Sequence, residues 1–133
     1  MINGINSREM ILEILLEIEE GEHSHVAIRN ALSKYQFLPK QDRAFITRVC
    51  EGTLEYRIQI DYIINSFSKV TVDKMKPAIR EILRSAVYQL KYMDSVPDSA
   101  VCNEAVKLAQ RKGFYNLKPF VNGVLRTIAR EMD

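Results

Sequence analysis

The sequence predicts an all-α fold, a compact bundle of six or seven helices. Its 133 residues suit one domain, because single domains most often run to about 100–150 residues. Hydrophobic residues make up 47% of the chain, which is enough for one core. Five glycines and four prolines are too few for the many turns of a β-sandwich or barrel. No long alternation of polar and apolar residues indicates a strand.

Two helices are predicted in the N-terminal quarter of the chain. Residues 5–20 repeat apolar side chains at helical spacing, with Asn6 as a favourable N-cap. Gly21 is expected to stop this helix. A shorter helix is expected over residues 24–34, with Ser24 as its candidate cap.

The next segment predicts either one long helix or two shorter ones. Pro39 opens it at a position where a missing amide costs nothing. Apolar residues then recur every three or four positions from 40 to 67. Glycine inside a helix costs about 1 kcal/mol relative to alanine, so the helix either breaks near Gly52 or has another helix packed closely there.

Three further helices are predicted in the C-terminal half. Pro77 is a first-turn proline, and a broad apolar face follows it as far as Leu90. A loop containing Pro97 leads to the next helix, which is expected to end at Gly113. The last helix carries the apolar residues of 117–128.

The net charge of +2 conceals two regions of opposite sign. Residues 1–28 hold six glutamates against Arg8, whereas residues 105–130 hold six basic residues and no acidic one. The last two helices are therefore candidates for a basic surface that meets an anionic partner through phosphate contacts. The alternative is an ordinary solvated helix face. Arg80 and Arg84, one helical turn apart, are a possible extension of this surface.

Two aromatic residues accompany the basic stretch. Phe114 and Tyr115 follow Lys112 in the loop between the last two helices. Exposed aromatic rings at such a place stack on unpaired bases. The alternative is that they close one edge of the core.

The residues that most often carry catalysis or metals predict neither here. His23 and His25 lie two positions apart, not at the spacing that places two ligands on one helix face. Cys50 and Cys102 each lie beside an apolar stripe, form no CxxC pair and are expected to be buried reduced thiols. Glycine-rich nucleotide loops, a signal peptide and a membrane-spanning run are also not found, so we expect a cytoplasmic protein.

Three pairs of residues are interpreted as structural. The first pair stands in the first turn of the long helix, where an acidic residue favours the helix dipole. The second is expected to begin a later helix, where it caps the helix and braces a loop. The third lies in the last helix and suggests close helix packing with one buried hydrogen bond. In that order, they are Asp42 and Arg43, Asn103 and Glu104, and Asn122 and Gly123.

Four segments, in order, resemble motifs of one known domain family. Residues 102–110, CNEAVKLAQ, and 120–126, FVNGVLR, resemble its C-terminal signature. Residues 41–54, QDRAFITRVCEGTL, resemble its central helix, and 88–97, YQLKYMDSVP, resemble the helix and loop before the signature. The likeness covers about 7–130 and implies a NusB-like helical fold.

The resemblance implies one of two functions. One branch of the family is the stand-alone antitermination factor, which is similar in size and binds boxA RNA with a ribosomal-protein partner. The other branch is the N-terminal domain of RsmB/Sun-type ribosomal-RNA cytosine-C5 methyltransferases. There the domain precedes a catalytic domain that uses S-adenosylmethionine.

The details resemble the methyltransferase branch more closely. Residues 42–45, DRAF, resemble its central motif, and 124–130, VLRTIAR, resemble its ending. The antitermination branch tends to begin with an arginine-rich first helix used for RNA, whereas the first helix here holds only Arg8 among many glutamates. The resemblance therefore implies that 1–133 form a single RNA-binding, substrate-positioning domain, itself non-catalytic, at the N-terminal part of a longer methyltransferase chain.

If the chain belongs to the methyltransferase branch, its partners are ribosomal RNA and a downstream catalytic domain. This chain would bind no cofactor, since S-adenosylmethionine belongs to the downstream domain. A third possibility is a protein-interaction module that docks a methyltransferase domain without touching RNA. The predicted RNA-binding residues are Arg8, Lys107, Arg111, Lys112, Lys118 and Arg126.

Overall fold

The computed structural model describes residues 6–132, and within them the chain forms seven α-helices, two 3-10 turns and no strand. The predicted all-α fold is confirmed. The expected start of the first helix at residue 5 lies outside the described residues. The helices are α1 (Ser7–Glu19), α2 (Ser24–Lys34), α3 (Lys40–Glu55), α4 (Arg57–Phe67), α5 (Pro77–Tyr92), α6 (Asp98–Arg111) and α7 (Lys118–Glu131), and the 3-10 turns are Val72–Lys74 and Tyr115–Leu117.

The ends of α1 follow the sequence signals, whereas the start of α2 does not. The Asn6 side chain accepts a hydrogen bond of 2.8 Å from the backbone N–H of Glu9, as an N-cap does. Gly21 has a φ of +118°, a conformation that favours glycine and ends the turn after α1. The N-cap of α2 is His23, whose backbone is extended, and Ser24 is already helical.

The segment from 40 to 67 is two helices, and the break lies at Tyr56, not at Gly52. Gly52 is buried within α3, and a Cβ there would overlap the ring of Tyr88 on α5. Close packing is therefore confirmed at Gly52, and the expected division into two helices is also found, four residues later than Gly52. The contact accounts for a glycine in a helix interior despite its conformational cost.

Helix α5 is the central helix of the fold. It contacts α1, α3, α4, α6 and α7, and every residue from Glu81 to Gln89 is buried. A helix that is enclosed on all sides must satisfy its polar groups internally. The Ser85 hydroxyl, for example, donates to the Glu81 carbonyl at 2.9 Å.

The last two helices pack along each other and are joined by a short connection. Gly113, with a φ of +88°, ends α6 as predicted, and the 3-10 turn Tyr115–Leu117 leads directly into α7. The helix pair brings together the basic residues of the C-terminal quarter. No α-helix in residues 6–132 combines the length and the hydropathy that crossing a membrane would take.

Candidate nucleic-acid interface

The candidate interface is built on the exposed side of α6. Asn103, Lys107 and Gln110 are exposed at intervals of four and three residues, and the exposed Arg111 lies four residues after Lys107, so the four share one face of the helix. The buried residues of α6, such as Leu108, lie on the opposite side. This row is where basic side chains from the neighbouring helices meet.

On one side of the row, α7 contributes two cations that are held by neutral amides. Arg126 donates from Nη2 to Asn103 Oδ1 at 2.9 Å and from Nε to Asn122 Oδ1 at 3.2 Å. Lys118 Nζ donates to Gln110 Oε1 at 2.7 Å. An amide oxygen has no net charge, so it orients a cation without neutralising it. We call Lys118 and Arg126 the amide-paired cations.

On the other side of the row, glutamates of α1 meet basic residues at the end of α6. Arg111 Nη1 lies 3.6 Å from Glu9 Oε1. Lys112 Nζ lies 3.5 Å from Glu9 Oε2 and 3.4 Å from Glu13 Oε2. The stretch 105–130 lacks carboxylates along the chain, but the packing of α1 beside α6 supplies them in space.

The remaining predicted RNA-binding residues, Arg8 and Lys107, both lie near Glu104. Lys107 Nζ is 3.4 Å from Glu104 Oε2. Arg8 donates from Nε to Gln89 Oε1 at 3.1 Å, and its guanidinium lies over the Phe45 ring at 5.2 Å from the centroid. Burial lowers the pKa of Arg8, while the charge of Glu104 opposes that shift. Arg8 thus contributes to packing among α1, α3 and α5. We call Lys107, Arg111 and Lys112 the carboxylate-paired cations.

The predicted extension through Arg80 and Arg84 is not formed. Arg84 is only 8% exposed, and it donates to Asp61 at 2.8 and 2.9 Å and to Glu81 at 2.6 Å. Arg80 is ion-paired with Glu19. Because a buried cation requires compensating partners, these two arginines join α5 to α4 and to α1 instead of facing an external anion.

Of the three structural pairs, the first lies where it was predicted and the second does not. Asp42 lies in the first turn of α3 as expected, and Arg43 Nη1 donates to the carbonyls at the end of α2, at 2.8 and 3.2 Å. Asn103 and Glu104 do not begin a helix, because α6 already begins at Asp98. They lie within α6 and bind the cations described above.

The prediction of close packing at Asn122 and Gly123 is wrong. Gly123 is exposed, and a Cβ placed there would have no neighbour within 4 Å. The hydrogen bond of Asn122 to Arg126 is only partly buried. Gly123 therefore lies on the outward side of α7, and Asn122 accepts a hydrogen bond from Arg126.

The two aromatic residues after Gly113 have different roles. Phe114 is half-buried and packs against the core. Tyr115 is 66% exposed, and Lys118 Nζ lies 4.5 Å from the centroid of its ring. No acidic residue lies in the first turn of α7, so the positive end of the helix dipole adds to the charge of Lys118.

The cysteines lie in the core and the histidines on the surface. Cys50 and Cys102 are both buried, and burial raises the pKa of Cys50 to about 12 and that of Cys102 above its usual value. Few thiolates form at neutral pH under such conditions. The exposed rings of His23 and His25 stack 6.1 Å apart, and no group of three or more potential metal ligands occurs among residues 6–132.

Gln110, which holds Lys118 in place, is not among the residues predicted from the sequence. A signal for it was present, because Gln110 lies three residues after Lys107 and seven after Asn103, on the polar side of a predicted helix. Only the position of α7 beside α6 shows which cation each amide holds.

The model of the NusB family matches residues 5–130 of this sequence. The chain belongs to the NusB family. Among its relatives, the probable ribosomal RNA small subunit methyltransferase B of Bacillus subtilis is 35% identical over 124 residues, which cover 93% of this chain and 28% of that protein. The transcription antitermination protein NusB of Bacillus velezensis is 33% identical over 128 residues, which cover 96% of this chain and 95% of that protein.

Solved structures agree with the NusB fold. NusB of T. maritima superimposes with a TM-score of 0.84 at 26% identity, covering 94% of this chain and 89% of that one. A structure of the antitermination factors NusB and NusE in complex with dsRNA gives a TM-score of 0.84 at 21% identity, covering 93% of each chain. The chain spans about 28% of the length of the methyltransferase it matches, so membership of the NusB family does not by itself choose between the two branches.

Proposed function

We propose that this NusB-family domain binds ribosomal RNA and positions it for a downstream cytosine-C5 methyltransferase domain of the same chain. The domain itself is non-catalytic, S-adenosylmethionine is used by the downstream domain, and the protein acts in the cytoplasm. The observation that carries the proposal is the pair of amide-paired cations, Lys118 and Arg126, beside the exposed row of α6.

A cation contributes to RNA binding only if its charge remains available to a phosphate. A cation paired with a carboxylate has lost much of its attraction for a phosphate, because the phosphate must compete with an existing negative charge. Lys118 and Arg126 are instead oriented by amide oxygens and retain their charge. Orientation before binding also reduces the side-chain entropy lost on contact. Such contacts supply affinity and register without reading sequence, as positioning of a substrate requires.

Two observations favour the methyltransferase branch. Arg8, the lone basic residue of α1, is engaged with Gln89 and Phe45, so α1 offers little to a phosphate backbone. Glu9 and Glu13 lie on the same helix, and their negative charges repel a phosphate backbone. Similarity to methyltransferases of Bacillus subtilis and Synechocystis, each at 35% identity, is consistent with this choice.

The experiment is a titration of the domain with fluorescently labelled fragments of small-subunit ribosomal RNA across a salt series. Between about 50 and 200 mM salt the affinity is expected to fall steeply, because each neutralised phosphate releases counterions. Replacing the amide-paired cations Lys118 and Arg126 together by alanine should weaken binding and flatten the salt dependence. Equal affinity of this double variant and the natural sequence would count against the interface.

The second candidate is a stand-alone antitermination factor that binds boxA RNA with a ribosomal-protein partner. It is favoured by one observation, the 95% coverage of the antitermination relative from Bacillus velezensis. A pull-down with boxA RNA and that partner distinguishes the two candidates. A complex at micromolar concentrations supports the second candidate, and its absence removes it.

A further inference from the structure

Tyr115 is the aromatic side chain that the basic interface leaves exposed. It is 66% accessible and begins the 3-10 turn that follows Gly113. Its neighbour Phe114 packs against the core and anchors the turn. The turn therefore presents the Tyr115 ring to solvent, although burial of so large an apolar surface is normally favourable.

The Tyr115 ring is also held in place. Lys118 Nζ lies 4.5 Å from the ring centroid, within the range of a cation–π contact. The same Nζ donates to Gln110 Oε1 at 2.7 Å. The ring and the ammonium group are thus fixed relative to both α6 and α7. A ring with restricted motion loses less conformational entropy when a ligand stacks on it.

The charge around Tyr115 suits a phosphate. The sequence holds no acidic residue between Glu104 and Glu131, and the carboxylates of α1 pair with Arg111 and Lys112. The polar partner of Lys118 among the described residues is a neutral amide. A phosphate that approaches Lys118 therefore does not have to displace a carboxylate from it.

We infer that Tyr115 and Lys118 form a stacking site for an unpaired base of single-stranded RNA, an inference that rests on the proposed RNA-binding function. A nucleotide joins a phosphate to a base, so one strand contacts Lys118 through its phosphate while its base stacks on Tyr115. Bases within a duplex are already stacked and paired, so they do not present a free face. The site therefore favours single-stranded over duplex RNA.

The test compares Tyr115→Ala and Tyr115→Phe with the natural sequence. The probes are a single-stranded oligoribonucleotide containing 2-aminopurine and a duplex of the same base composition. Loss of the ring is expected to weaken single-strand binding about 5- to 100-fold and to abolish quenching of the 2-aminopurine fluorescence. Duplex affinity should not change, and Tyr115→Phe, which keeps the ring, should bind as the natural sequence does.

Tyr62→Ala is the matched control, because Tyr62 is 74% exposed but lies on α4, which contributes none of the interface cations. It should leave both affinities unchanged. If the natural sequence binds salt-dependently but Tyr115→Ala binds equally well, the stacking site is overturned and the proposed function stands. The stacking site is likewise overturned if Tyr115→Ala weakens both probes equally. If the natural sequence binds neither probe, the proposed function fails together with the inference.

Discussion

Arg84 and Arg126 are both arginines on helices, but they have different partners and different roles. Arg84, at the contact of α5 with α4, is 8% exposed and donates three hydrogen bonds to two carboxylates. Arg126, on the outer side of α7, is half-exposed and donates to two asparagine side chains. The first guanidinium is neutralised by its partners, whereas the second is only oriented.

The comparison shows that the partner of a cation, more than the cation itself, decides its role. Burial disfavours the charge of Arg84, but the hydrogen bonds and charges of Asp61 and Glu81 outweigh it and raise its pKa. Burial in turn raises the pKa of Glu81, so each charge depends on the other. An arginine in this position stabilises the fold, and one held by amides remains available to an external anion.

The largest expected effect is on stability, at Arg84. Arg84→Met keeps much of the side-chain volume but leaves Glu81 buried without its cation. We expect the free energy of unfolding to fall by about 3–5 kcal/mol, because removing one partner of a buried pair strands the other charge. Urea denaturation followed by circular dichroism measures this loss. RNA affinity should be unchanged under conditions where the variant is folded.

The control for Arg84 is the double variant Arg84→Met with Glu81→Gln. It removes the stranded charge and should recover much of the lost stability, leaving Asp61, which is more exposed, to be solvated. If the double variant is no more stable than Arg84→Met alone, the cluster does not stabilise the fold through charge compensation.

The next largest effect is on RNA affinity and separates the two kinds of surface cation. Arg126→Ala should weaken binding about 5- to 10-fold, because a typical hydrogen bond has a net worth of about 1 kcal/mol. Arg111→Ala should weaken it only about 2-fold, because Glu9 already offsets that charge and exposed ion pairs are worth little. Fluorescence anisotropy with a ribosomal-RNA fragment, at one fixed salt concentration, measures both.

Arg130→Ala is the matched control for this pair of variants. Arg130 lies one helical turn beyond Arg126 on α7, is exposed, and is 3.7 Å from the carboxylate of Glu131. It should behave like Arg111→Ala. Equal losses for Arg126→Ala and Arg111→Ala would mean that the partner of a cation does not determine its availability to RNA.

Local sequence signals predicted most of the fold. The cap at Asn6, the prolines before α3 and at the start of α5, and the end of α6 at Gly113 all lie where the sequence places them. Each depends on neighbouring residues only. The two glycines of the helices were harder to interpret. Gly52 meets Tyr88 and Gly123 meets open space, a difference set by distant residues that a helical pattern does not contain.

The candidate site was predicted only in part, for the same reason. The basic residues were visible in the sequence, but their partners depend on which helices become neighbours. Glu9 and Glu13 lie about a hundred positions before Lys112 and nevertheless pair with it. Counting charge along the chain therefore overestimated the charge available at the end of α6.

The smallest expected effect is a gain in RNA affinity. It tests whether the carboxylates of α1 reduce the charge available at the end of α6. Glu9→Gln with Glu13→Gln removes the carboxylates that offset Arg111 and Lys112 while keeping the shape of both side chains. RNA affinity should rise about 2- to 3-fold, because exposed ion pairs are worth less than about 1 kcal/mol. The salt dependence of binding should become steeper as further phosphates are contacted.

Glu17→Gln is the control for this gain, since Glu17 lies one turn beyond Glu13 on α1 and forms no ion pair among residues 6–132. Loss of an acidic side chain changes the net charge equally in each single variant, so a general charge effect would tighten binding in Glu17→Gln as much as in Glu13→Gln. A gain confined to Glu9 and Glu13 instead shows that the carboxylates of α1 hold back the cations of α6. That outcome would show that a carboxylate partner limits the charge of a cation at the surface of α6, as it does for Arg84 in the interior.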